Sequence, residues 1–586
     1  MRIRPELFPG AFSALLALLV AGCAPADGGA GSSPADLVLH SGKVITMDAE
    51  HPEAEAVAIA GDRIVAVGTS AEIQEFVGPD TEEIDLQGRL VVPGFIEGHG
   101  HFMSLGQSKT ILDLNDAESW DAIVTMVEDA ARDAAPGEWI TGRGWHQEKW
   151  NAVPEPSVEG NPVHHSLTAV SPDNPVHLTH ASGHASFANA RALELAGITA
   201  STPDPDGGEI IREEDGEPTG LLRETAQRLV GSAVSEAESG RSPEEIEDAR
   251  RRMVQLAGEE ALANGVTSFH DAGTSFETID FYRDLADAGE LPIRLYVMVR
   301  ESNDAMAERL ADYRMVGYGD DFLTVRSIKR QIDGALGAHG AWLLEPYADL
   351  PRSAGLNLES LDDLRRTAEI AIENGYQLNT HAIGDRGNRE TLNVYEEVFA
   401  ANPERSDLRW RIEHAQHLHP SDIPRFSELG VIASIQGVHA TSDGTWVADR
   451  IGDQRAEEGA YVWQTLRDAG VMVTNGTDVP VERIDPIANF YSTVSRRLSD
   501  GTVFYEDERL TREQALETYT INNAYAAFEE DQKGSIAPGK LADLAVISTD
   551  LMTIPEEQIP SARVVYTILG GEVRYQDPEL TTSAPD

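Results

Sequence analysis

The chain has 586 residues, 41% of them hydrophobic, which is enough for one large domain and a smaller one. With 46 Lys and Arg against 99 Asp and Glu, the formal net charge is −53; this argues against a nucleic-acid partner, because phosphate contacts need a basic surface, and reads as a solvated acidic face. Cys23 is the single cysteine, so an intramolecular disulfide framework and a cysteine metal cluster are excluded.

In chain order, the first feature is an export signal. Arg2 and Arg4 precede an apolar stretch over residues 11–21, broken only by Ser13. It is shorter than the roughly 20 residues a permanent span needs. Val20-Ala21-Gly22-Cys23 is similar to the lipobox of bacterial lipoproteins. Residues 1–23 are therefore expected to be a lipoprotein-type signal peptide, with Cys23 lipidated and anchoring an exported chain to the membrane of the cell envelope. Ala24, in place of Asp, after the cysteine points to an outer membrane in a cell with two. Residues 24–35, rich in Ala, Pro, Gly and Ser, read as a flexible tether.

Residues 36–92 alternate in short runs. Strands are expected at 36–39, 43–46 and 63–67, with turns at Ser41-Gly42 and Gly61-Asp62. The far end repeats this style, with strands at 543–547 and 563–567 and a Gly570-Gly571 turn. Residues 36–92 plus 530–575 are thus expected to form one composite β-sandwich from both termini. Residues 93–529 read as the main, barrel-forming part of the chain. There helical stretches precede strands: 243–264 before 265–270, 361–374 before 376–381, and 460–469 before 471–475. Repeated helix-then-strand units predict an α/β fold with parallel strands, a (β/α)8 TIM barrel first. A doubly wound sheet is the alternative, but its early Gly-rich phosphate loop is missing. Residues 110–230 fit neither pattern and are expected to be an insertion or long loop region over the barrel mouth, with Trp139, Trp145 and Trp150 clustered in it.

The chemistry concentrates at strand ends. An apolar run from Leu90 leads into His99 and His101. In an extended chain, residues i and i+2 point the same way, so both imidazoles can face one ion at the C-terminal end of a strand. The strand-like run 376–381 ends in His381, Arg411-Ile412-Glu413 runs into His414, and 471–477 runs into Asp478. Imidazole and carboxylate ligands of this kind suit Zn2+, with Fe, Mn or Co as further options.

At this point the chain resembles a known family. Pro93-Gly94-Phe95-Ile96 before the two histidines, Gly476-Thr477-Asp478, and the run from Gly534 through Pro538-Gly539-Lys540 to Leu544 resemble the amidohydrolase superfamily. His381-Ala382-Ile383-Gly384-Asp385, Ile412-Glu413-His414-Ala415-Gln416 and the segment from Ile328 to Gly334 around Lys329 are similar to its family 3 branch, which includes N-substituted formamide deformylases. The resemblance spans residues 36–575. It implies a distorted barrel with a small β-sandwich and one or two divalent metals, zinc first. It implies His99 and His101 on one metal, His381 and His414 on a second, and Lys329 carbamylated by CO2 and bridging the two. It further implies Asp478 as both a ligand and the catalytic acid–base. The expected reaction is hydrolysis of a non-peptide C–N bond (amide, formamide or cyclic amide) in a small-molecule substrate by a metal-bound hydroxide. A deaminase or other C–X hydrolase at the same site is the alternative. A non-catalytic binding lipoprotein is disfavoured because every expected ligand is present. Homo-oligomerisation stays open.

Four residues are candidate pocket lining: His184 in Ser182-Gly183-His184, where the family reads Asp-Gly-His, then Gln436, His439 and Trp145. Glu413 is expected to be a structural partner, and His270-Asp271 to support the site or bond within the barrel end.

Overall fold

The computed structural model describes residues 33–582. The signal peptide, the Cys23 anchor and most of the tether lie outside the described residues. No helix among those described is long and apolar enough to cross a membrane.

Eight strands form one parallel sheet that curls into a barrel: β1 (Phe95–Gly100), β2 (Val266–Thr274), β3 (Arg294–Val299), β4 (Leu323–Gln331), β5 (Gln377–Ala382), β6 (Arg411–His414), β7 (Ile432–Gln436) and β8 (Val473–Gly476). They pair in chain order, with a short antiparallel strand at Met315–Gly317 beside β4. The strands are buried on both faces, as parallel sheets covered by helices require; all six residues of β3 are buried. The intervening helices carry local start and stop signals. Pro243–Ala263 opens on a reciprocal Ser242–Glu245 cap with Pro243 at its first position, and Leu361–Asn374 runs from a Ser360 cap to Gly375 at φ +67°.

The seam between β1 and β8 is closed just past the strand ends. Asp478 N–H donates to His99 C=O at 2.7 Å, and His101 N–H donates to Val479 C=O at 2.8 Å. Two glycines permit this approach. A Cβ on Gly98 would stand 2.4 Å from the Asn475 carbonyl oxygen, and one on Gly476 would stand 2.5 Å from the His99 nitrogen. Both distances are far inside van der Waals contact, so the seam admits no side chain at either position.

Two further sheets draw on both ends of the chain. One has four strands, ordered Arg63–Gly68, Ala56–Ala60, Leu37–His40 and Glu82–Asp85. The other has six, ordered Glu572–Gln576, Val564–Leu569, Leu544–Ile547, Leu90–Pro93, Lys43–Ile45 and Glu53–Ala54. Leu39, Ile59, Val91, Val546 and Ile568 belong to one core between them. A buried ion pair, Arg294 Nε to Asp543 Oδ2 at 2.8 Å, ties β3 to this layer.

Where the sequence suggested an insertion or long loop, residues 112–224 hold a mixed six-stranded sheet with its own core. Trp120, Trp145, Trp150, Leu178 and Phe187 pack together there. Trp145 is 1% exposed and its indole N–H donates to the Leu178 carbonyl at 2.9 Å.

Candidate metal centre

The residues expected as ligands gather at the C-terminal ends of β1, β4, β5, β6 and β8. One ligand atom from each of His99, His414 and Asp478 can be chosen so that all lie within 4.8 Å of one another, and all three residues are buried. His414 therefore groups with His99 and Asp478 as well as with His381, whose ring centroid is 4.4 Å from its own. His101 is partly exposed, with Nε2 3.2 Å from Asp478 Oδ1; His99 Nε2 is 3.6 Å from the same oxygen. Lys329 on β4 reaches in until Nζ is 3.1 Å from His99 Nε2.

Backbone conformation presents two of these groups. His414 at φ +76° and Asp478 at φ +57° both lie in the left-handed region. Non-glycine residues occupy it at a cost of about 1–3 kcal/mol, and such strain clusters at functional sites. Here the turn comes just where β6 and β8 end.

The histidine tautomers are fixed from behind. His99 Nδ1 lies 2.5 Å from Glu413 Oε2, and His414 Nδ1 lies 2.7 Å from Gln436 Oε1. Both partners are acceptors, so each ring carries its proton on Nδ1 and turns an Nε2 lone pair to the site. Gln436, expected to line the pocket, thus sits behind His414. Buried Asp478 Oδ1 and His381 Nε2 have no hydrogen-bond partner. Buried polar atoms are seldom left so. Two orphaned polar atoms amid converging imidazoles fit a divalent cation, which would satisfy them.

The electrostatics agree. Burial pushes the Asp478 carboxyl up, but the nearby His101 imidazole, 3.2 Å away, and the His99 and His414 rings outweigh it and hold the group well below the usual carboxylate range. Burial, then the neighbouring imidazoles, hold His381 and His414 well below the ordinary histidine value, in the neutral ligand form. Burial lowers the Lys329 ammonium to about 8, so a neutral amine is accessible near neutral pH.

His184 lies beside the cluster, its ring 5.7 Å from that of His381. Its Nδ1 is 2.9 Å from Glu224 Oε2, and this carboxylate raises its pKa against the opposing effect of burial. His439 is stacked 6.3 Å from His414 and lines a narrow cavity at the cluster together with His184, His381 and Asp478. Trp145 does not line that cavity; it borders a separate one with Trp150 and His339. His339 is held by Asp349 at 3.1 Å. Asp271 accepts from Phe102 N–H and Tyr282 O–H, and His270 accepts from Arg411 at 3.2 Å, so this pair bonds within the barrel end.

Sequence reasoning passed over Glu97 and assigned no role to Asp333. Glu97, two residues before His99 on the same strand, accepts from Thr477 N–H at 2.6 Å and from Thr477 and Tyr519 hydroxyls at 3.0 Å. It joins β1 to the residue before Asp478. Asp333 accepts from the Trp342, Ile383 and Gly384 amides and lies 3.5 Å from His381 Nε2. The alternation that exposed the His99–His101 pair also marks Glu97.

The sequence pattern of the Amidohydrolase family matches residues 82–575. Protein LONG AFTER FAR-RED 3 of Arabidopsis thaliana is 35% identical over 92% of both chains. The N-substituted formamide deformylase of Arthrobacter pascens is 29% identical, over 92% of this chain and 98% of its own. Among solved structures, an uncharacterized metal-dependent hydrolase from Pyrococcus furiosus superposes with a TM-score of 0.67 at 26% identity, covering 88% of this chain and all of the other. Family match, barrel and metal-capable cluster agree, and the chain belongs to the amidohydrolase family of metal-dependent hydrolases acting on C–N bonds.

Proposed function

We propose that this chain hydrolyses an amide or formamide of a small molecule, using one or two zinc ions and a carbamylated Lys329. The observation that carries the reading is the buried His99–His414–Asp478 group, with Asp478 Oδ1 left without a hydrogen bond. His99, His101, His414 and Asp478 would hold one ion, and His381 with Lys329 would complete a second position. When bound, such an ion supplies Lewis acidity and lowers the pKa of water from 15.7 to about 7.

The remaining chemistry belongs to the chain. Asp478, ionised and buried, takes the proton of the attacking water and passes it to the leaving nitrogen. His184, whose proton Glu224 favours, donates a hydrogen bond to the substrate oxygen as negative charge develops there. Glu413 and Gln436 keep the His99 and His414 rings in register. A neutral Lys329 amine is nucleophilic towards CO2, and carbamylation would turn it into an anionic ligand for a bound cation.

Support for amides comes from the deformylase relative, whose name states its substrate class. The test is a screen of N-formyl, N-acyl and cyclic amides against the chain and its Asp478→Asn variant. Hydrolysis of at least one class, lowered about 10²–10⁴-fold in the variant, is expected. Equal rates for the two proteins would contradict it. The same reading places the chain on a membrane through Cys23, supported by Val20-Ala21-Gly22-Cys23; Cys23→Ser should release it into the soluble fraction, and retention of the variant would reject the anchor.

A further inference from the structure

A second and wider cavity, about 970 Å³, opens onto the same cluster and is lined by His101, His184, Asp478, Arg143, Arg228 and Arg300, among others. Its size falls in the range of about 300–1,000 Å³ usual for small-molecule sites. Its charge pattern runs against the composition. The whole chain has 99 acidic residues against 46 basic ones, so an arginine here should find a carboxylate easily.

The acids of this wall are already engaged. Glu224 is held by His184 at 2.9 Å, Glu359 by Arg330 at 3.3 Å, and Glu301 by the Phe276 amide at 3.0 Å, while Asp478 faces His101. Among the described residues, Arg143, Arg228 and Arg300 have no carboxylate within 4.0 Å. Arg143 donates to the Ala181 and Pro480 carbonyls at 2.9 and 3.3 Å, and Arg300 donates to Gln331 Oε1 at 2.7 Å. Their partners are neutral oxygens. Burial pushes Arg143 down to about 10 in spite of the Asp478 charge, as expected of a guanidinium that has lost water without gaining a counter-ion of its own.

We infer that Arg143, Arg228 and Arg300 form an anion subsite, and that the amide this enzyme takes carries a carboxylate. A guanidinium is a planar donor fork, weakly hydrated and matched to a carboxylate, so three such groups without acidic partners beside a hydrolytic centre select an anionic substrate. The inference rests on the hydrolase reading for what happens to the amide, but the binding it describes does not depend on turnover.

The test is calorimetric binding of two matched probes, N-acetylglycine and N-acetylglycinamide, to the full chain at low salt. The expected result is at least about tenfold tighter binding of the carboxylate, about 1.4 kcal/mol, weakening as salt rises. In the Arg228→Gln, Arg300→Gln double variant the preference should fall to about threefold or less, with an unchanged melting profile. Should the pair of changes disturb folding, Arg228→Gln alone, at an exposed position, should lower the preference in the same direction. Equal affinity for the probes, binding of neither, or a preference retained in a folded variant would overturn the subsite. Loss of hydrolysis across all amides with the carboxylate preference intact would count against the catalytic reading alone.

Discussion

The Nδ1 atom of His99 lies 2.5 Å from Glu413 Oε2, and both side chains are fully buried. Burial pushes the Glu413 carboxyl up, yet His99, Arg411 and Lys329 outweigh it and hold the group ionised. An ionised acceptor fixes the ring's proton on Nδ1. Glu413→Gln can still bond to His99, but it removes the charge that favours this tautomer. Metal affinity should fall about 10–100-fold with the fold intact, read by competition with a chromogenic chelator. Unchanged affinity would show that His99 needs no such support.

Lys329 offers a separate test of the second metal position. Lys329→Ala removes the group proposed to bridge two ions, and elemental analysis should then give about one metal fewer per chain. Added bicarbonate cannot rebuild a carbamate on a missing lysine, but a free short-chain carboxylate can stand in for it. Partial rescue of activity by such an anion is expected. An unchanged metal count would limit Lys329 to its contact with His99.

The β1–β8 seam carries a stability prediction. Tyr519 O–H donates to Glu97 Oε2 at 3.0 Å in a buried network that also includes Thr477 and Asn489. Burial raises the Glu97 carboxyl to about 7 even with these donors present. Tyr519→Phe removes one donor from a buried carboxyl and should cost about 1.5–3 kcal/mol in denaturant unfolding. A change below about 0.5 kcal/mol would show that the seam relaxes around the lost bond.

Acid should destabilise the fold through buried neutral histidines. Burial lowers His177 from 6.5 to about 4, and burial together with Arg455 lowers His417 from 6.5 to about 3. The unfolded chain binds protons on these rings below pH 6.5, where the folded chain does not. Their contribution to stability is therefore full above pH 6.5 and drains as pH falls toward 4 for His177 and 3 for His417. Melting of chelator-treated protein, which removes metal release from the comparison, should fall steadily through that window. Replacing His417 with Gln should flatten the slope; an equal slope in both proteins would contradict the assignment.

Much of the barrel was legible because its signals are local. The helix expected over 361–374 is observed as Leu361–Asn374, and the strand expected over 376–381 is observed as Gln377–Ala382. His99, His381, His414 and Asp478 stood out because strands of a parallel barrel all end on one face, so ligands scattered along the chain meet there. The Glu413–His99 and Gln436–His414 pairs depend on which strand neighbours which across the barrel, and spacing along the chain does not carry that. The sheet over residues 112–224 escaped notice because its pairings skip along the chain, and a register shift between Arg143 and Trp145 breaks the alternation that would have marked the strand Ile140–Trp145. The arginine wall was hidden for a similar reason: Arg143, Arg228 and Arg300 stand on three separate segments and only the fold sets them around one cavity.

The central claim is that His99, His414 and Asp478 hold a divalent metal on which hydrolysis depends. The most direct measurement is metal content and amide hydrolysis on one purified sample, before chelation, after it, and after readdition of zinc. The account predicts at least one tightly bound divalent ion per chain, loss of hydrolysis on its removal and recovery with zinc. A chain that hydrolyses amides at full rate with no divalent metal bound would contradict it.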